Sequence, residues 1–221
     1  MRIQILAASA LLASTAFAMP AMAQDANQDF TGSRVGVIAG YDGIRPGSTE
    51  DSDVAGDDQT VSGFLYGIEA GHDFAIGRNG IFGIEAELTD STGKVNTNTS
   101  DPNFFGYGEV GTGRDIYVGA RIGAVVAPRT LLYAKAGYTN TNLNVLAYDG
   151  STELDDHFNL DGWRVGAGVE RAIGNNAFAK IEYRYSNYTD ADFEYANGAT
   201  TDRFEVDTDR HQVVAGVGIR F

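Results

Sequence analysis

The sequence predicts an all-β fold, an eight-stranded antiparallel up-and-down transmembrane β-barrel that follows a cleaved N-terminal signal peptide. Three observations predict it. Residues 209–221 alternate apolar with polar or glycine residues and end on Phe221. Similar segments recur along the chain, joined by connections that are short and long in strict turn. The first 23 residues have the build of a secretory signal. Period-two alternation marks a strand with two unlike faces. Strands cross a membrane only when the sheet closes and leaves no unpaired edge.

Taken in order, Arg2 supplies the positive start of the signal, Ile3 to Phe17 its mostly apolar stretch, and Ala21-Met22-Ala23 a small-x-small cleavage site. The mature chain is expected to begin at Gln24. The apolar run is short for a membrane span and is diluted by Ser9, Ser14 and Thr15. Residues 24–221 form one domain, the barrel. With no cysteine in the chain there is no lipoprotein anchor and no disulfide framework.

The eight strands fall near 33–43, 62–75, 80–90, 113–126, 130–144, 161–173, 177–188 and 209–221. Three connections are short: Gly77-Arg78-Asn79-Gly80, Ala127-Pro128-Arg129 and Gly174-Asn175-Asn176. Glycine and asparagine are expected to supply the positive φ angles that tight hairpins need, and Pro128 fits a turn. Four are long: 44–61, 91–112, 145–160 and 189–208. That is the layout of short periplasmic turns and long extracellular loops, with both termini periplasmic.

The strand faces follow from the alternation. In the last strand Val213, Ala215, Val217, Ile219 and Phe221 share one face, and Arg210, Gln212, Gly216, Gly218 and Arg220 the other, with Val214 as the exception. In 113–126, Ile116, Val118, Ala120, Ile122 and Ala124 oppose Asp115, Tyr117, Gly119, Arg121 and Gly123. A soluble lipocalin-like barrel would turn the apolar face inward. Three features point it outward instead: the terminal Phe221, the aromatic residues near strand ends, and the glycines on the polar face. Tyr41, Phe64, Tyr66, Trp163 and Tyr185 would make one interfacial girdle, and Phe74, Phe82 and Phe221 the other. Inward glycines such as Gly36, Gly119, Gly168 and Gly218 would make room in a narrow lumen.

Eight strands enclose an interior just wide enough for side chains. The alternation sends Glu69, Asp73, Glu85, Glu87, Asp115, Glu170 and Glu182 inward, together with Arg34, Arg121, Lys135, Arg164, Lys180, Arg184, Arg210 and Arg220. Seven acids against eight bases is close to neutral, so the expected lumen is an ion-pair network that plugs the barrel. The alternative is a narrow porin-like channel for small solutes.

The formal charge of −14 lies in the long connections, which carry −4, −1, −4 and −5 in chain order. Such a surface excludes nucleic-acid binding. The plain reading is a solvated, repulsive cell surface. A sharper one is divalent-cation bridging between the loop acids and anionic lipopolysaccharide. The acids at 50–58 lack the spaced ligands and glycine of a calcium loop, so no metal site is assigned.

A search for catalytic residues assigns none. The three histidines are His72, His157 and His211. His72 and His211 are expected to face outward, near the periplasmic and extracellular interfaces, and His157 to lie in an acidic loop beside Asp155 and Asp156. A lipid-deacylating site would pair histidine with a serine on the lipid-facing surface, but His211 is followed by Gln212 and Val213. There is no phosphate-binding loop and no cofactor motif. The expectation is therefore a protein that is not an enzyme.

Residues Leu131–Tyr138, Gly162–Glu170, Phe178–Tyr185 and Gly216–Phe221 resemble the small eight-stranded Gram-negative outer-membrane barrels. That group includes the opacity-type surface proteins and the transmembrane domain of outer membrane protein A. The resemblance covers the whole mature chain. It implies a surface-exposed, porin-like structural protein of the cell outer membrane, inserted by the barrel assembly machinery that reads a last strand ending at Phe221. Outer-membrane lipid and lipopolysaccharide would be its immediate partners. Some members of the group serve in adhesion, immune evasion or haem uptake, and the sequence names no extracellular ligand. No domain is seen after Phe221, so cell-wall tethering by that route is not expected.

Overall fold

A computed structural model describes residues 27–46, 61–97, 107–148, 153–194 and 204–221. The signal segment 1–23, the mature start at Gln24 and the acids of 50–58 lie outside these residues. A short 3-10 turn, Gln28–Phe30, precedes nine strands: β1 (Gly32–Pro46), β2 (Val61–Ile76), β3 (Gly80–Ser91), β4 (Lys94–Thr97), β5 (Tyr107–Ala127), β6 (Thr130–Tyr148), β7 (Glu153–Ile173), β8 (Ala177–Glu194) and β9 (Phe204–Arg220). Neighbouring strands pair antiparallel in the order β3-β2-β1-β9-β8-β7-β6-β5-β4, and a β3–β5 ladder closes the sheet. β3 and β4 both pair with β5, end to end, so the nine strands make eight staves. All eight predicted strands are present. The separate β4 was not expected; it resumes the stave after the break at Thr92 and Gly93.

The strand ends differ from the sequence reading on one side of the barrel. β5 and β7 are each 21 residues long, about twice the 9–11 that cross a bilayer. Much of the expected loops 145–160 and 189–208 is therefore strand: β7 begins at Glu153, β8 ends at Glu194 and β9 begins at Phe204. His157 is on β7, in register with Asn144 and Glu194, and not in a loop. The physical reason is that apolar alternation marks a strand only where one face meets an apolar medium. Past the apolar band the pattern is diluted: Leu154, Phe158 and Leu160 on β7 and Ala191 and Phe193 on β8 still fall at alternate positions, but the acids crowded among them make the stretch read as loop. The acidity thus rides on strand extensions as well as on the connections.

The short turns are where the sequence placed them. Gly77 and Gly174 adopt φ +60°. The asparagines do not supply positive φ; in the remaining turn Arg129 does, at 59°. Asn176 instead holds the end of β9, its side-chain amide donating to Arg220 O at 3.1 Å while its own carbonyl accepts from Arg220 N at 2.6 Å.

The apolar face is outward. Val37, Ile68, Val118, Ile122, Ile181 and Val217 are all more than half exposed. Tyr41, Phe64, Tyr66 and Trp163 flank this band at the long-connection end, with Phe74, Phe82 and Phe221 at the short-turn end, all pointing outward. Val214, the exception in the alternation, faces inward and packs over Gly40, where a Cβ would come within 2.7 Å of Val214 Cα.

Candidate functional site

Among the described residues, the lumen is where the chain concentrates charge out of water. Each predicted acid and base points into it, and none is more than 7% exposed. Asp42 joins them at 1%, which makes eight carboxylates against eight cationic side chains among the described residues. The sequence reading omitted Asp42, although alternation from Arg34 through Gly36, Ile38 and Gly40 puts it on the inward face.

The charges sit in three tiers. At the short-turn end, Arg121 donates to both oxygens of Asp73, at 2.8 and 2.6 Å, and to Glu170 at 2.8 Å. Arg220 closes the square by donating to the same two acids at 2.8 Å each. Arg34 adds a third guanidinium on Asp73 at 3.2 Å and hydrogen-bonds Glu85 from its other side. In the middle tier Lys135 meets Glu85, Glu87 and Glu182 at 2.9, 2.6 and 2.9 Å. Arg184 reaches Glu87 at 2.9 Å and also bonds Glu182, while Lys180 bonds Glu69. At the long-connection end, Arg210 clamps Asp42 with two bonds of 2.7 Å and reaches Asp115 at 2.6 Å. Asp115 also accepts from Arg164 at 2.5 Å and from Thr139 at 2.8 Å. Each carboxylate is thus shared between cations or between a cation and a hydroxyl or amide, the condition under which buried charge is tolerated.

Aromatic rings and glycines complete the packing. Tyr133 donates to Glu182 at 2.6 Å and lies under the Arg121 guanidinium at 5.0 Å. The Tyr117 ring receives Lys135 at 4.5 Å and Arg164 at 5.3 Å. These rings lie over inward glycines. A Cβ on Gly119 would stand 2.1 Å from Tyr117 Oη, and one on Gly168 2.6 Å from Tyr133 Oη. Glycines on the same stave (Gly119 for Tyr117) and on the next one (Gly137 for Tyr117, Gly168 for Tyr133) thus leave room for the large rings.

On the outer face the geometry departs from the histidine reading in one respect. His72 is paired with a serine after all, across strands rather than along one: Ser33 Oγ lies 3.0 Å from His72 Nδ1. The ring also packs against Phe74, centroids 4.6 Å apart. A serine nucleophile needs amide donors to receive an oxyanion. The Ser33 N–H is committed to Phe221 O at 2.9 Å, and the Phe221 N–H returns to Ser33 O at 2.9 Å. The pair fastens β1 to β2 and sits where β1 meets the C-terminus. His211 also faces outward, its Nδ1 2.7 Å from Tyr183 Oη. Among the described residues no three histidine, aspartate or glutamate side chains are arranged to hold a metal. The side chains of Asp155, Asp156 and His157 lie outside the description.

The chain is thus a closed antiparallel barrel with an apolar exterior, an ionic interior and an aromatic last residue. The family described as outer membrane protein beta-barrel domain matches residues 9–221. This chain belongs to that outer-membrane β-barrel family. A 22 kDa outer membrane protein of Rhizobium leguminosarum is 30% identical over 166 residues, which is 75% of this chain and 70% of that one. A 31 kDa outer-membrane immunogenic protein of Brucella melitensis is 29% identical over 198 residues, 82% of each chain. Among solved structures, Neisserial surface protein A superimposes with a TM-score of 0.52 at 16% identity, covering 86% of this chain and 98% of that one, and so shares the fold. The resemblance drawn from the sequence holds, and the protein resides in the outer membrane of a Gram-negative cell.

Proposed function

We propose that this outer-membrane protein is a structural and surface-interaction barrel whose lumen is closed by its own ion pairs. The observation that carries the reading is the balance of eight buried acids against eight buried bases, interlocked across all three tiers. A solute path would have to break these buried pairs and leave charges without their partners. In this reading the short turns and both termini face the periplasm. The long hairpin extensions and their acidic connections form the extracellular working surface. The immunogenic label of the Brucella relative supports surface display, and the last strand ending at Phe221 is what the assembly machinery engages. Lipopolysaccharide and lipid contact the apolar band, nucleic acid is repelled, and no reaction is catalysed.

A narrow channel is the second reading. Thr89 Oγ1, Arg184 Nη1 and Gln212 Oε1 are buried without a hydrogen-bond partner in the protein among the described residues, which favours water within the lumen. Liposome swelling separates the two. Vesicles carrying refolded residues 24–221 should swell in small sugars no faster than empty vesicles. Swelling that scales inversely with sugar size would establish the channel and overturn the closed-lumen reading.

A further inference from the structure

The turn that precedes β1 does more than lead into the barrel. Phe30 is fully buried and joins Ile81, Val125, Leu131, Tyr133 and Ala172 in one apolar cluster. Those partners come from β3, β5, β6 and β7, so the ring reaches across the short-turn mouth. Four polar contacts from three residues hold the same turn to the rim. The Asn27 side-chain amide donates to Gly77 O and Gly80 O, both at 3.1 Å, which ties it to the β2–β3 turn. Asp29 faces Arg129 of the β5–β6 turn at 3.6 Å. Phe30 O accepts from Arg220 Nη1 at 2.5 Å, and that same nitrogen donates to Asp73 at 2.8 Å.

We propose that Asn27–Phe30 is a stopper seated in the short-turn mouth, a closure separate from the ion network and linked to it through Arg220. An apolar layer beneath a tier of paired charges excludes water from that tier, where water would compete for every bond. The seat is shallow in sequence terms: one ring, one amide, one half-exposed carboxylate and one carbonyl. The stopper can therefore leave while the ladder of the barrel stays intact, because β1 begins only at Gly32 and its first pair, with Asp73 of β2, is independent of residues 27–30. Withdrawal of this segment is the first step of any opening from the short-turn side.

The chain has no cysteine, so a single introduced thiol reports cleanly on the mouth. Val125, 5% exposed beneath Phe30, is replaced by cysteine in refolded 24–221, and the reaction of that thiol with a charged, membrane-impermeant reagent is timed. Phe30→Asp should speed the reaction about 10- to 100-fold, the loss expected from unseating one large apolar side chain. Phe30→Leu should restore most of the protection. Should Phe30→Asp fail to give a heat-shifted folded band, Asn27→Ala takes its place and should speed the reaction several-fold. Equal rates with Phe30 and with the folded variant would overturn the stopper. Liposome swelling of Phe30→Asp keeps this result apart from the closed-lumen reading: swelling in that variant but not in the unaltered protein would sink the closed-lumen reading and leave the stopper standing as the closure.

Discussion

Replacing Asp73 by asparagine should destabilise the folded barrel by about 3–5 kcal/mol, the cost of leaving buried charge without its partner. Asp73 is 1% exposed and accepts from three guanidiniums, those of Arg34, Arg121 and Arg220. Asparagine keeps the shape and removes the charge. Arg121 and Arg220 are then left to share Glu170, and Arg34 falls back on Glu69 and Glu85. The internal control is Asp29→Asn. Asp29 also faces an arginine, Arg129, but both side chains are 41% exposed, and such a pair contributes about 0–1 kcal/mol. Urea unfolding in lipid vesicles, followed by the fluorescence of Trp163, the single tryptophan, reads both variants. The double variant Asp73→Asn, Arg121→Met should lose clearly less than the two single losses added, since it removes both signs of charge together. A loss below about 1 kcal/mol for Asp73→Asn, or strict additivity in the double variant, would refute the claim that these charges are dry and mutually dependent.

Other outcomes follow from single contacts. Gly77→Ala meets nothing within 4 Å and should lose only the φ +60° preference, about 1 kcal/mol in the same unfolding assay. Gly119→Ala should lose more, about 1–3 kcal/mol, because its Cβ would stand 2.1 Å from Tyr117 Oη and 2.5 Å from Ala136 O. Val37→Arg, at a position 56% exposed and flanked in register by Ile68 and Val217, should cost about 2–4 kcal/mol in a bilayer if that face meets lipid. Phe221→Ala should lower the amount of protein recovered in the outer-membrane fraction of expressing cells while leaving in vitro unfolding within about 1 kcal/mol, since the ring is 70% exposed.

The barrel was legible because lipid on one side and charge on the other write a period-two pattern into every stave, and glycine punctuates two of the three short turns. The lumen was legible for the same reason. Once the faces are assigned, Arg121, Lys135 and Glu182 can point only inward. The extensions of β7 and β8 were not read as strands, because Asp155, Asp156, Asp190 and Asp192 dilute the alternation of Leu154, Phe158, Ala191 and Phe193. The Ala127-Pro128-Arg129 turn was legible, but not that Arg129 would take its left-handed position, where the sequence offers no glycine. Ser33 and His72 lie 39 positions apart and meet only through the β1–β2 register, as do Asp73 and Arg220 through Arg34 and its neighbours. Asn27 and Phe30 carry no periodic signal at all; their role comes from a mouth that exists only after the sheet has closed.

The most direct test is single-channel recording of refolded residues 24–221 in a planar bilayer, after a heat-shift gel has shown the folded form. The account predicts no discrete current steps from the unaltered protein. Reproducible steps, changed in size or ion preference by charge reversal at Glu85 or Arg164, would show that ions pass among these side chains and would contradict a lumen closed by its own pairs.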